Sequence, residues 1–274
     1  MDVEVTRRSK LASIGALSAA SLSLALYGYL SFFPEYAFHT FVSLAAIVLC
    51  SGLGAVCFLE QMRKRLVDES LPGLLEDLAE CQETGMTLLQ ALEEASHRKY
   101  GPMTSELRKL VAKLSWGIEL KEAMKSFGER LNTELTEKIV PLILEAIYMG
   151  GDLKTVFRST AEFVKKMLDM RRERTSQLRP YLLITYTTTM TFLVIIVILH
   201  QSFFIPLSSS QNRFLSLTMS SKEFREVLFD LAVIEAFFGG LIAGKVAEGT
   251  VLAGLKHSAV LIVATLVVFA VFLV

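Results

Sequence analysis

The stretch MGGDLKT at residues 149–155 sets two adjacent glycines ahead of an aspartate, a lysine and a threonine. Glycine-rich turns of this kind can cradle a phosphate, because their amides converge on the anion while a lysine neutralises it. The full phosphate loop needs Gly-x-x-x-x-Gly-Lys-Ser/Thr after a strand. Here the lysine stands three residues beyond Gly151, and the residues before the pair have helical periodicity. Other chemistry is scarcer. His39, His97, His200 and His257 are isolated in sequence, with no His-Glu-x-x-His spacing, and no Gly-x-Ser-x-Gly turn occurs. The acidic pairs Glu93–Glu94 and Asp68–Glu69 read as solvated helix faces, and Trp116 reads as a packing anchor before a helix-ending glycine. Cys50, Cys57 and Cys81 give no disulfide framework or zinc spacing. The chain is expected to be non-enzymatic, with no catalytic residue, cofactor or metal.

A repeat explains the glycines better. Gly85, Gly117 and Gly150 are each followed three residues later by a leucine, Leu88, Leu120 or Leu153. A further apolar pair follows each leucine: Ala91–Leu92, Ala123–Met124 or Val156–Phe157. A recurrence of about 33 residues marks a repeated two-helix unit. Glycine can take the left-handed conformation that closes one helix, and the residue two places on can cap the next. Thr87 with Gln90 makes a capping box, Asp152 is a good cap and Glu119 a poor one. Glu83, Gly85, Leu88, Gly117, Leu120, Gly150, Gly151, Asp152 and Leu153 therefore read as a structural motif. Between repeats, Thr104 and either Asn132 or Thr133 are cap candidates. Six helices are predicted near 66–84, 88–99, 104–115, 120–130, 134–149 and 153–178, with Pro141 kinking the fifth.

These helices lie in residues 60–180, which hold 20 acidic and 20 basic side chains, between blocks of a different character. Mean hydropathy over the chain is +0.47, and the apolar residues are concentrated in runs. Residues 11–33, 37–59 and 181–207 carry no formal charge, 227–246 carry only Asp230, Glu235 and Lys245, and 258–274 carry none. About 20 apolar residues of helix cross a bilayer. The expected fold is all-α: a polytopic membrane protein with about five transmembrane helices and a cytoplasmic six-helix bundle of three helix-pair repeats. The expected domains are 1–59, with two spans; 60–180, helical; and 181–274, with three spans. Arg7, Arg8 and Lys10 precede the first run, and 20 of the 28 basic residues fall in 60–180. By the positive-inside rule, the N-terminus and the central domain are cytoplasmic at the cell membrane. Zero formal net charge argues against nucleic acid as a partner, and membrane lipid is the expected surroundings.

The fourth run holds the one anomalous charge. Glu235 lies deep in an apolar helix, where ionisable groups are costly and usually functional. Gly240 and Gly244 form Gly-x-x-x-Gly, which permits close helix approach. Glu235, Gly239, Gly240, Gly244, Lys245, Glu248 and Gly249 are candidate contacts with a membrane partner.

ETGMTLLQAL at 83–92 and MGGDLKTVF at 149–157, in a charged helical segment between spans, resemble the F domain of type II secretion and type IV pilus systems. The tail GLIAGKVAEGTVLAGLKHSAVLI at 240–262 is similar to the archaeal branch, which includes archaellum and adhesion-pilus platforms. The resemblance covers roughly residues 60–274. It implies a non-enzymatic inner-membrane platform that works with a cytoplasmic secretion-type ATPase on pilin or archaellin subunits. Members of that family often carry two F domains, and this chain resembles the C-terminal half alone. A homodimer or a second platform subunit is therefore implied. The alternative is a membrane receptor or transporter subunit with a helical signalling domain, which predicts a ligand site near Glu235.

Overall fold

The computed structural model describes residues 35–204, 206 and 221–272. The chain divides into two compact units, Leu59–Arg174 and the residues flanking it in sequence. Among the described residues, every regular element is helical.

The Leu59–Arg174 unit contains six helical segments. They are the later part of α1 (Glu35–Glu83), α2 (Leu88–His97), α3 (Met103–Ser115), α4 (Leu120–Leu131), α5 (Glu134–Tyr148) and the earlier part of α6 (Leu153–Leu199). The separate helices expected near 66–84 and 153–178 are instead portions of α1 and α6. The reason is local: EQMRKRL at 60–66 contains neither glycine nor proline, and Pro72 and Pro180 lie inside their helices. A buried face can offset the one backbone hydrogen bond that a proline removes.

Helical spacing puts Leu71, Leu74, Leu75 and Leu78 on one side of α1, where they are buried against Leu107, Leu110, Phe127, Ile143 and Phe157. Each such side chain contributes about 1.5–3 kcal/mol when fully removed from water. Leu88, Leu120 and Leu153 pack half-buried on this core, and of the pairs that follow them only Val156 is not fully buried.

The flanking unit holds the rest of α1 and α6, a π-helical turn His200–Phe204, α7 (Ser221–Glu248) and α8 (Gly254–Phe272). Among the described residues, four helical stretches are long and apolar enough to cross a membrane: Val42–Glu83, Leu153–Ser202, Glu223–Glu248 and Gly254–Phe272. They overlap the second to fifth expected spans, and the fourth of these, 227–246, lies wholly within its stretch. The first, residues 11–33, and the serine-rich stretch 207–220 lie outside the described residues. The chain is an all-α, multi-pass membrane protein.

Candidate functional site

The three glycine junctions share one geometry. Gly85, Gly117 and Gly150 have φ of 84°, 82° and 68°, the left-handed region that side chains with a Cβ disfavour. At each, the glycine N–H donates to the carbonyl three residues back: Gln82, Leu114 or Ile147. The following N–H, of Met86, Ile118 or Gly151, donates to the carbonyl five back: Cys81, Lys113 or Ala146. This double bond is the Schellman closure, which satisfies carbonyls otherwise orphaned at a helix end.

The next helix then begins on a cap. Thr87 and Gln90 form the reciprocal capping box, and Asp152 accepts from the Thr155 hydroxyl and from the Lys154 and Thr155 amides. Those bonds, led by the Thr155 hydroxyl, hold the Asp152 carboxyl below its ordinary range. Glu119 makes no cap bond; its carboxylate accepts from the Tyr148 hydroxyl at 3.0 Å. Thr133 caps α5 in a box with Thr136, while Asn132 closes α4 with φ of 51°. Thr104 is not a cap: it lies within α3, and its hydroxyl accepts from the Tyr100 amide at 2.7 Å.

Lys154, the residue that first suggested a phosphate loop, reaches a carboxylate instead. Its Nζ lies 3.0 Å from Glu83, and an Arg158 guanidinium nitrogen lies 2.8 Å from the same oxygen. The first and third junctions are thereby joined. Tyr148, at the end of α5, joins the third to the second through Glu119 and lies beneath Lys121, whose Nζ is 5.8 Å from the ring centroid. The sequence shows these charges but not their pairing, since Glu83 and Lys154 are 71 residues apart.

Trp116 is not a packing anchor but 81% exposed, because it occupies the C-cap of α3 (φ −84°, ψ 3°), where the chain turns out of the bundle. Asp68 is not on a solvated face. It is buried, with Arg171 3.1 Å away and Glu134 on that guanidinium's other side at 2.8 Å. A second buried carboxylate, Glu106, takes Arg130 at 2.6 Å and Lys109 at 3.1 Å. The Asp68 cluster ties α1 to α5 and α6, distant in sequence, whereas the Glu106 cluster ties the consecutive helices α3 and α4.

In the flanking unit, Glu235 accepts from the buried Thr189 hydroxyl of α6 at 3.0 Å, while its other oxygen is buried without a hydrogen-bond partner. Gly239, one turn on, faces the same contact, and a Cβ there would lie at ordinary van der Waals distance, 3.6 Å, from Thr189 Oγ1. Gly240 and Gly244 face α8. A Cβ on either would fall within 3.0 Å of the backbone of Ser258 or Gly254. Ser258 adds a 2.7 Å hydrogen bond from its hydroxyl to the Phe237 carbonyl. Gly249, φ 80°, ends α7. Glu248 pairs with Lys256 and lies 3.7 Å from His257, whose other ring nitrogen meets the Tyr186 hydroxyl at 2.9 Å. His257 is therefore isolated in sequence but not in space. Lys245 stays exposed. Gly240 and Gly244 thus serve α7–α8 packing, and Glu235 is held by α6.

Residues 74–200 match the family model of the Type II secretion system (T2SS), protein F. An uncharacterized protein of Methanocaldococcus jannaschii is 23% identical over 198 residues, which is 72% of this chain and 32% of that protein. Flagella accessory protein J of the same archaeon is 23% identical over 158 residues, 57% of this chain and 28% of that one. The chain thus spans about a third of the length of these relatives. No solved structure matches it significantly.

Proposed function

We propose, from the premise that residues 74–200 carry a type II secretion system F domain, that the chain is a non-enzymatic platform for building pilus-like or archaellum filaments. The observation that carries this is a coincidence of limits. The matched residues take in most of the six-helix unit and continue along α6 into its apolar stretch. A charged helical body is thereby set in sequence between membrane-crossing helices, as an assembly platform requires. The Leu59–Arg174 unit is the cytoplasmic part and engages a secretion-type ATPase, which supplies the energy. The spans receive pilin or archaellin helices during extraction, with Glu235 at the polar point of contact. A second platform subunit or a second copy completes the assembly. The name of one relative, a flagella accessory protein, agrees with this reading.

Deletion of the chain in its own organism, with surface filaments counted by electron microscopy, tests the proposal. Loss of one filament type, restored by the wild-type chain, is expected; unchanged filaments overturn it. Affinity purification of the detergent-solubilised chain is expected to recover the ATPase.

A further inference from the structure

We infer that the end of the Leu59–Arg174 unit formed by the three glycine junctions is a docking surface centred on Trp116, and that it takes a folded soluble protein offering a concave apolar pocket. The identity of that protein, a secretion-type ATPase, rests on the platform reading above.

Three observations carry the inference. The first is apolar exposure concentrated where the junctions meet. Trp116 is 81% exposed, Met149 75% and Tyr148 60%, and Met86 and Leu89 are exposed at the remaining junction. The contacts of Glu83 with Lys154 and Arg158, and of Tyr148 with Glu119, bring the three junctions to one end of the unit. Large side chains offer about 150–250 Å² each when fully exposed, so at exposures of 39–81% these five present roughly 600 Å² of apolar or aromatic surface. That is at the upper end for a typical monomer's largest patch and approaches the ~800 Å² per partner of a stable interface.

The second is the charge around the patch. Lys121, Lys154 and Arg158 are matched by Glu83, Glu119 and Asp152. A balanced rim suits a protein surface carrying both signs, whereas a polyanion or an anionic bilayer would call for a basic surplus.

The third is shape. Trp116 stands out from a turn, so its receptor must be concave. A twofold contact between copies would need this same patch to supply both knob and pocket. The apolar void in the unit's core measures about 30 Å³ and is lined by buried residues such as Leu75, Leu107 and Phe157, far too small for an indole. Tryptophan and tyrosine are the residues most often dominant in such contacts.

The test uses the full chain in nanodiscs and the purified cytoplasmic secretion-type ATPase of the same organism, with affinity read by biolayer interferometry. Trp116→Ala is expected to weaken binding at least tenfold, Trp116→Phe less, and Lys138→Ala, at the other end of α5, not measurably. An unchanged thermal midpoint for Trp116→Ala confirms that the fold is intact. Equal binding by wild type and Trp116→Ala overturns the docking surface and leaves the platform reading standing. A wild-type chain that does not bind overturns the partner assignment and counts against the platform reading as well. A photocrosslinker at position 116 in cells is expected to trap the ATPase. An adduct with a second copy or with lipid, or none, overturns the inference.

Discussion

A Cβ placed on Gly85, Gly117 or Gly150 meets no atom within 4 Å, whereas one on Gly240 or Gly244 falls within 3.0 Å of the α8 backbone. In the Leu59–Arg174 unit the glycines have open space around them and are required for their positive φ. In the α7–α8 hairpin they sit inside helices and are required for their lack of volume. The difference follows from what brings helices together in each setting. Water drives apolar faces of the charged unit into a core, so its close contacts can be made by leucine and phenylalanine. Between helices in lipid that drive is absent, and close backbone approach takes its place.

Substitutions break this comparison into separable parts. Gly244→Ala has the largest expected effect, a loss of about 3 kcal/mol or more, because the new methyl meets backbone that cannot rotate away. Differential scanning fluorimetry in detergent would show it, and a wild-type midpoint would remove the volume argument. Arg130→Ala comes next, costing about 3 kcal/mol by leaving Glu106 buried without its closest partner. Arg130→Ala with Glu106→Leu should recover much of that loss. Gly150→Val should cost about 1–2 kcal/mol for the left-handed backbone, while Gly150→Asn should cost clearly less. At Gly244 the same asparagine should be as damaging as any other side chain, which separates conformation from volume.

Lys154→Ala is expected to leave the thermal midpoint nearly unchanged in the same fluorimetric assay, since its ion pair with Glu83 is largely open to solvent. The smallest effect concerns acid. The Asp152 carboxyl titrates below its ordinary range in the fold, so its capping contribution is complete above the unfolded value. That contribution disappears as pH falls through the lower folded value. Midpoints of wild type and Asp152→Asn should therefore differ at pH 7, begin to converge below about pH 4 and meet only once pH has fallen below the lower folded value; a constant difference would remove the cap.

The parts legible in the sequence are those set by neighbours along the chain. Gly85, Thr87 and Gln90 lie within six residues, and their turn and capping box follow from local geometry alone. The apolar stripes of α1 and α3 likewise announce helices whatever they pack against. Pairings such as Asp68 with Arg171 depend on which helix faces meet, and spacing on one helix does not encode that. A large aromatic such as Trp116 suggests burial, while the turn that exposes it is set by the glycine after it. The Gly240–Gly244 spacing permits close helix approach, and α8 lies against it; which helix takes that place is not written in α7.

The mated surfaces of α7 and α8 also bear on how the chain reaches the bilayer. α7 carries Asp230, Glu235 and Lys245, and an ionised side chain at the centre of a lone inserted helix costs about 2.5–3.5 kcal/mol. α8 after Lys256 has no formal charge and inserts readily. The two are joined by only residues 249–253, and their backbones touch without intervening side chains. The physical expectation is co-insertion during synthesis, with α8 drawing its reluctant neighbour in as one helical hairpin.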